Sequence, residues 1–358
     1  MDNPRACGQA FCRFRGRRDA AGVDLPNRPR VLPGLPLLRR REDVVQIGTD
    51  PRHAVLVEDV PAPMASALLG LNGQHTLREL RERLAPHGDQ ATELLGVLRG
   101  LAHAGLVEES VPVPHPRLAA EVTCRALRTR RPAPHLASAR AARSVCVHGE
   151  GRLAVTVAAL LAAAGVGHVR VIARGRVGPE DTGSGYLDAD VGRPRAEAAA
   201  DAVRRACPAV RPVPRGADLV VLADALVPAP ELLHDLVRAG TAHLAARVRE
   251  GVGVVGPLVV PGRSSCLRCA DLHRTDSDPG WPLVAAQLVD RPQHADLATV
   301  TATAGVAVGQ ALLALDRDAG ARGRPPTWDA TLEVDAFTGV VEHRIAPVHP
   351  RCECRSAG

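Results

Sequence analysis

The stretch SVCVHGEGRLAVTVAALLAAAGVGHVRVI, residues 144–172, decides the fold. Residues 144–147 read as a buried strand, Gly149-Glu150-Gly151 as a tight turn, 153–164 as a helix and 168–172 as a second strand. Gly165 closes the helix, where a left-handed residue is wanted. This strand–turn–helix–strand unit opens a doubly wound parallel sheet. Glycines in such a turn let a ligand approach the backbone, and the helix N-terminus offers free N–H groups and a positive dipole to a phosphate. Gly149 and Gly151 are therefore candidate nucleotide contacts. The motif is incomplete, because Ala154 stands at the third small position. The second strand ends in Ile172-Ala173-Arg174-Gly175, with no carboxylate to accept from a ribose hydroxyl. That argues against a dinucleotide oxidoreductase. His148 beside the turn is placed to touch a phosphate or simply to end the strand.

Toward the C-terminus the pattern continues with a helix at about 193–206 and a strand at 219–222. Two paired-strand candidates follow, 242–247 with 253–260 and 331–334 with 340–345, and a long helix at 298–315 lies between them. The stretch also carries two tight cysteine pairs, Cys266-Leu267-Arg268-Cys269 and Cys352-Glu353-Cys354. Two thiolates one or two residues apart can converge on one ion, and two such pairs supply the closed tetrahedral sulfur set of a structural zinc site. Disulfides and plain reduced thiols are the alternatives, and His349 is a reserve ligand. A closed four-sulfur site leaves no position for substrate, so the metal is a staple. The segment 271–278 reads as a surface loop, with Trp281 anchoring it.

Toward the N-terminus, residues 111–142 read as a Pro/Arg/Ala-rich linker with a helix near 117–127. Residues 28–110 read as a small winged-helix-like α+β module: strands at 35–38, 44–47 and 53–57, then helices at 62–71, 76–84 and 90–104. Thr76 and Glu79 form a capping box, and Leu94, Leu95, Leu98 and Leu101 line one face of the last helix. Residues 1–27 are expected to be a disordered tail. The expected fold is thus α/β, a Rossmann-like domain over 143–358 with a zinc-stapled C-terminal part, preceded by the small module.

The chain has 358 residues, 46% hydrophobic and only 2% aromatic, so Ala, Val and Leu fill the core. Few aromatics argue against single-strand nucleic-acid binding by stacking. All 45 basic residues are Arg, which with the Ala, Gly and Pro content points to compositional drift and lowers the functional weight of the net charge of +6. A DNA-binding regulator would need a basic recognition helix, whereas residues 76–84 mix signs. Nucleic acid is therefore not an expected partner. Nine scattered cysteines fit a reduced, cytoplasmic setting. No apolar run is read as reaching the roughly 18–20 residues of a membrane span.

Several stretches together resemble the ThiF family, relatives of ubiquitin-activating enzymes. Residues 145–151 resemble its nucleotide loop. Asp190-Val191-Gly192-Arg193-Pro194-Arg195-Ala196 is similar to its DxGxxKA signature, with Arg195 at the Lys position. Leu222-Ala223-Asp224 looks like the strand end whose Asp handles Mg²⁺ in active members, and the cysteine pairs match the family's zinc site. The resemblance implies ATP/Mg²⁺ contacts at Gly149, Gly151, Arg195 and Asp224, and a Zn²⁺ site at Cys266, Cys269, Cys352 and Cys354. The family's Asn-Leu-Asn-Arg-Gln stretch is replaced by Thr182-Gly183-Ser184-Gly185-Tyr186-Leu187, and Ala225 follows Asp224. No free cysteine after the first pair is available as a thioester nucleophile.

The N-terminal module resembles PqqD-like leader-recognition domains. The combination resembles partner proteins of YcaO cyclodehydratases in thiazole/oxazole peptide pathways, which bind a precursor leader and present the core peptide. That resemblance implies a degenerate nucleotide site, a precursor leader peptide and a YcaO-type cyclodehydratase as partners, and a homodimer. The leader would add as a strand along Ala54, Val55, Leu56, Val57 and Glu58 and pack on Leu94 and Leu98, although those leucines also read as ordinary core. The alternative is an active ATP-dependent adenylyltransferase acting on a peptide or small-protein C-terminus.

Overall fold

The computed structural model describes residues 24–112, 115–129, 131–213, 216–291, 294–316 and 324–355, and the backbone of 12–15. The chain divides into two compact units between Ala137 and Ser138.

The first unit contains β1 (Cys12–Arg15), β2 (Pro29–Val31), β3 (Leu37–Arg41), β4 (Val44–Ile47), β5 (Val55–Glu58), α1 (Ala62–Leu69), α2 (Leu77–Leu84), α3 (Gln90–His103), β6 (Val107–Glu109) and α4 (Leu118–Thr129). One sheet has the order β1-β5-β4-β3, and β2 pairs β6 separately. The capping box forms as expected: Glu79 N donates to Thr76 Oγ1 at 3.2 Å, and Thr76 N donates to Glu79 Oε2 at 2.8 Å. Ile47, Val57, Met64, Leu68, Leu94, Leu98 and Leu101 meet in one core. Two expectations need correction. Most of the expected tail, residues 1–11 and 16–23, lies outside the described residues, but Cys12–Arg15 is a strand paired in parallel with β5. The 111–142 stretch is no plain linker, because Leu118, Val122 and Ala126 recur every four residues on α4 and are buried. The helix itself stands close to its expected place near 117–127.

α5 (Leu136–Ala141) spans the division. The second unit then runs β7 (Ser144–His148), α6 (Arg152–Ala163), β8 (His168–Ile172), α7 (Arg195–Ala206), β9 (Leu219–Ala223), α8 (Pro230–Arg238), β10 (His243–Arg249), β11 (Val252–Val259), α9 (Leu267–Ser277), α10 (Trp281–Leu288), α11 (Leu297–Leu315), β12 (Ala330–Asp335) and β13 (Val340–Ile345). Its seven-stranded sheet has the order β13-β12-β11-β10-β9-β7-β8. β8, β7, β9 and β10 are parallel, and β11, β12 and β13 extend the sheet antiparallel. Side chains alternate across the sheet. Val145, Val147, Val221 and Leu244 pack with α6, α7 and α11, whereas Cys146, Val220, Leu222 and Ala245 pack with Leu236 and Leu267 on the other face. Chain order reverses at β7, so the carboxyl ends of β7 and β9 flank the crevice where open α/β sheets bind ligands.

Two further expectations fail here. Residues 271–278 belong mostly to α9 rather than to a loop. Trp281 opens α10, donates to Asp271 Oδ1 at 3.2 Å and lies under Arg274. The apolar stretch Leu297–Leu315 is a 19-residue helix long and apolar enough, by length and composition, to cross a membrane. The helix itself stands where 298–315 is expected to be helical, and its apolar length is masked in the sequence because threonines and glycines dilute its leucines. In this fold it packs on α6, β10 and β11, burying Thr299, Thr303 and Gln310 with its Ala and Val side chains.

Candidate functional site

Gly149 and Gly151 sit where the sequence puts them, between β7 and α6, and Asp224 follows β9 beside them. Asp224 adopts φ +69°, a left-handed conformation unusual for a residue with a side chain. That turn aims its carboxylate at the start of α6, where Oδ2 accepts from Gly151 N at 2.9 Å. The two glycines make room for it. A Cβ on Gly149 would lie 2.6 Å from Asp224 Oδ2, and one on Gly151 would lie 3.1 Å from Oδ1. The seat that a helix N-terminus offers to a phosphate is thus taken by the chain's own carboxylate. Burial raises the Asp224 pKa to about 6, although amides of Gly151, Ala154 and Leu153 work against that rise.

Arg195 opens α7 and reaches the same region, but its charge is already met. Its Nη2 lies 2.7 Å from Asp181 Oδ2, its Nη1 3.6 Å from Glu150 Oε2, and Nη1 also donates to Arg174 O at 3.3 Å. Asp181 and Glu150 are functional neighbours that the sequence reading missed. Glu150 stands inside the glycine turn, and Asp181 ends a single 3₁₀ turn, Pro179–Asp181, that carries no recognisable pattern. Cavities of about 300 Å³ and 40 Å³ flank the carboxylate; His148, Arg174 and Leu222 line the larger, and Asp181, Arg195 and His294 the smaller. Burial lowers the pKa of His148, so it faces the larger cavity as a neutral imidazole. Asp224 on the Gly151 amide and Arg195 paired with Asp181 thus already have partners within the chain.

The four cysteines converge as predicted. Cys266 caps α9, Cys269 lies in its first turn, and Cys352 and Cys354 follow β13. Their ligand atoms lie within 4.8 Å of one another, with Sγ separations of 3.7 Å for 266–269, 3.6 Å for 266–352 and 3.5 Å for 269–354. A tetrahedron with Zn–S bonds of about 2.3 Å has edges of about 3.8 Å. Disulfide sulfurs would be about 2.05 Å apart, so neither pair is a disulfide. The residues therefore fit a closed four-thiolate metal ion, one without an open position for substrate. His349 is not a fifth candidate, which corrects its role as reserve ligand. Its Nε2 lies 2.8 Å from Asp276 Oδ2, and its Nδ1 accepts from Arg351 N at 3.1 Å.

The expected peptide edge is different from the reading. Val55, Leu56, Val57 and Glu58 are not at an edge, since β1 pairs with them from Cys12↔Val55 to Arg15↔Glu58 while β4 holds the other side. Leu94 and Leu98 are fully buried in the unit's core and present no surface. Their spacing marked an apolar face, and the core takes all of it.

One further group escaped the sequence reading. Arg247, near the end of β10, is 5% exposed, and its buried Nη1 has no hydrogen-bond partner among the described residues. Burial lowers its pKa to about 10, with Arg274 and Arg249 adding repulsion.

Residues 130–356 match the sequence pattern of the ThiF family. The chain belongs to that family. As a ThiF-family protein it carries the α/β sheet and cysteine cluster described above, over nearly two-thirds of its length. No curated protein sequence matches it. Among solved structures, the fold is similar to microcin C7 biosynthetic enzyme MccB in complex with N-formylated MccA, at TM-score 0.65 and 12% identity, covering 91% of this chain and 99% of that one. It is similar to E. coli MccB with ATP at TM-score 0.64 and 14% identity, with the same coverage. It is also similar to the heterocyclase TruD at TM-score 0.60 and 16% identity, where 93% of this chain spans 43% of that one. At these identities the likeness is one of fold.

Proposed function

We propose that this ThiF-family protein binds a ribosomal precursor peptide through its leader and presents the core peptide to a YcaO-type cyclodehydratase, without adenylating anything itself. The observation that carries this reading is Asp224 in the anion seat of α6, with Arg195 neutralised beside it. A family member whose phosphate site is filled from within keeps the scaffold for recognition. Fold likeness to MccB, solved with the peptide MccA, and to part of a heterocyclase supports a peptide partner.

The first unit is read as a PqqD-like, winged-helix-related recognition domain. The leader would take the place of β1 along Ala54, Val55, Leu56, Val57 and Glu58. β1 is only four residues long and pairs in parallel, the slightly weaker geometry, so an antiparallel peptide strand can displace it. The cysteine cluster serves as a structural Zn²⁺ staple.

Two measurements on the full chain test this reading. A fluorescent precursor from the same gene neighbourhood should bind saturably, and more tightly to a chain lacking residues 1–23. ATP–pyrophosphate exchange with that precursor should stay at background. Exchange that depends on Asp224 would instead establish the adenylyltransferase.

A further inference from the structure

α8 stands between two cavities. Leu232 lines the larger cavity beside Asp224, whereas Leu233 and Val237 line another of about 590 Å³. The far wall of this second cavity is the start of α9 with the cysteines Cys266, Cys352 and Cys354. Gly149, Gly151, Asp224 and Arg195 take no part in it.

The metal site accounts for little of this space. A single ion fills a small fraction of the volume, and four thiolates leave it no open position for a ligand. Recognition must therefore come from the walls. Small organic molecules occupy pockets of roughly 300–1,000 Å³ that are mostly apolar, with a few placed polar groups. Val227, Leu233, Val237 and Leu267 supply the apolar part here.

His243 supplies a placed polar group. Leu244 and Ala246 on β10 join the core under α6 and α11, so strand alternation sends His243 and Ala245 to the face of α8 and α9. The imidazole lines the cavity and is 1% exposed. Its Nδ1 donates to Thr241 O at 3.0 Å, and among the described residues Nε2 has no partner. Burial lowers the ring's pKa, so it is neutral with Nε2 as an acceptor. A buried acceptor without a donor is costly, and a ligand N–H or O–H would satisfy it.

Arg238, Arg268 and Glu353 line the cavity yet are themselves exposed, which marks its mouth. Asp271, the other acid in the wall, is held by Arg274 and by Trp281. Two guanidinium groups against one carboxylate favour an anion at the mouth. We infer that this cavity binds a small organic anion. Its apolar body lies between α8 and α9, an N–H or O–H donates to His243 Nε2, and its carboxylate or sulfonate meets Arg238 and Arg268. This inference is independent of the proposed function.

Fluorescence titration of the full chain with 8-anilinonaphthalene-1-sulfonate tests it, since that probe has an apolar body, one N–H and a sulfonate. Binding should saturate at one probe per chain. Val237→Trp fills the cavity and His243→Phe removes the acceptor, and each should weaken binding at least about tenfold. Arg238→Glu reverses a charge at the mouth and should weaken it about threefold, as an exposed charge contributes less. Leu283→Ser removes an exposed leucine of α10 outside the cavity and should bind like wild type. Circular dichroism checks that each variant is folded, and the exposed Arg238 variant keeps the test open if a buried one is not. Absence of saturable binding, cavity variants that bind like wild type, or equal weakening by Leu283→Ser would each overturn the inference.

Discussion

Asp224 Oδ2 accepts from the amide of Gly151 at 2.9 Å, across the first turn of α6. That carboxylate is buried, with a pKa raised from 3.8 to about 6. A raised pKa means that the folded state holds the proton more tightly than the unfolded one. The resulting stability is fully present below about pH 4 and is lost as pH rises through about 6. Replacing Asp224 with Asn removes the ionisation. The variant should be more stable than wild type by about 1–3 kcal/mol at pH 8, with the gap closing below pH 5. Urea unfolding at several pH values reads the difference.

The same contact shows why part of the site was legible and part was not. Gly149 and Gly151 stand out because a strand, a turn and a helix adjoin in sequence, each with its own period. The occupant of that turn comes from 73 residues further along and depends on a left-handed backbone at Asp224. No periodicity encodes such a conformation. The cysteine set was legible because close spacing alone brings each pair together. β1 was not, since four residues, Cys-Arg-Phe-Arg, carry too short a pattern and become a strand only by pairing with β5. Arg247 belongs to the same class, because its unpartnered Nη1 is a property of the fold around it.

If Asp224 stands in for a phosphate, removing it should reopen the seat. In Asp224→Ala, inorganic phosphate at tens of millimolar should raise the melting temperature by about 2–4 °C over chloride of equal ionic strength, as expected for binding at roughly ten times the dissociation constant. Wild type should not respond. Thermal melts followed by circular dichroism decide it, and an equal response from both proteins would place the phosphate elsewhere.

The Sγ separations of 3.5–3.7 Å among the cysteines predict a metal of tetrahedral preference. Purified protein should contain close to one zinc per chain by atomic emission. Stripping the ion, or replacing Cys269 with Ser, should destabilise the second unit severely, because structural zinc contributes on the order of 10 kcal/mol to folding. The comparison should be made under reducing conditions, so that disulfides formed after stripping do not substitute for the ion. Unchanged unfolding after complete metal removal would leave the four as simple thiols.

Arg247 supplies the remaining prediction. The Arg247 guanidinium, buried on β10 with its Nη1 lacking a hydrogen-bond partner, carries a desolvation cost that the nearby carboxylates of Asp271 and Glu333 offset only in part, and its pKa of about 10 expresses that cost. A depressed folded pKa in a base means that the charged form is disfavoured in the fold. The penalty is therefore present at neutral pH and is relieved only as pH rises past about 10. Methionine keeps most of the volume and length of the side chain without its charge. Arg247→Met should therefore unfold at higher urea, with a gain of about 1–3 kcal/mol at pH 7 and an unchanged slope against denaturant. A loss of stability instead would mean that the guanidinium has a compensating interaction in solution. The same variant tests whether the charge is kept for binding: if it stabilises the fold while weakening precursor affinity, the arginine's cost is offset only in the complex.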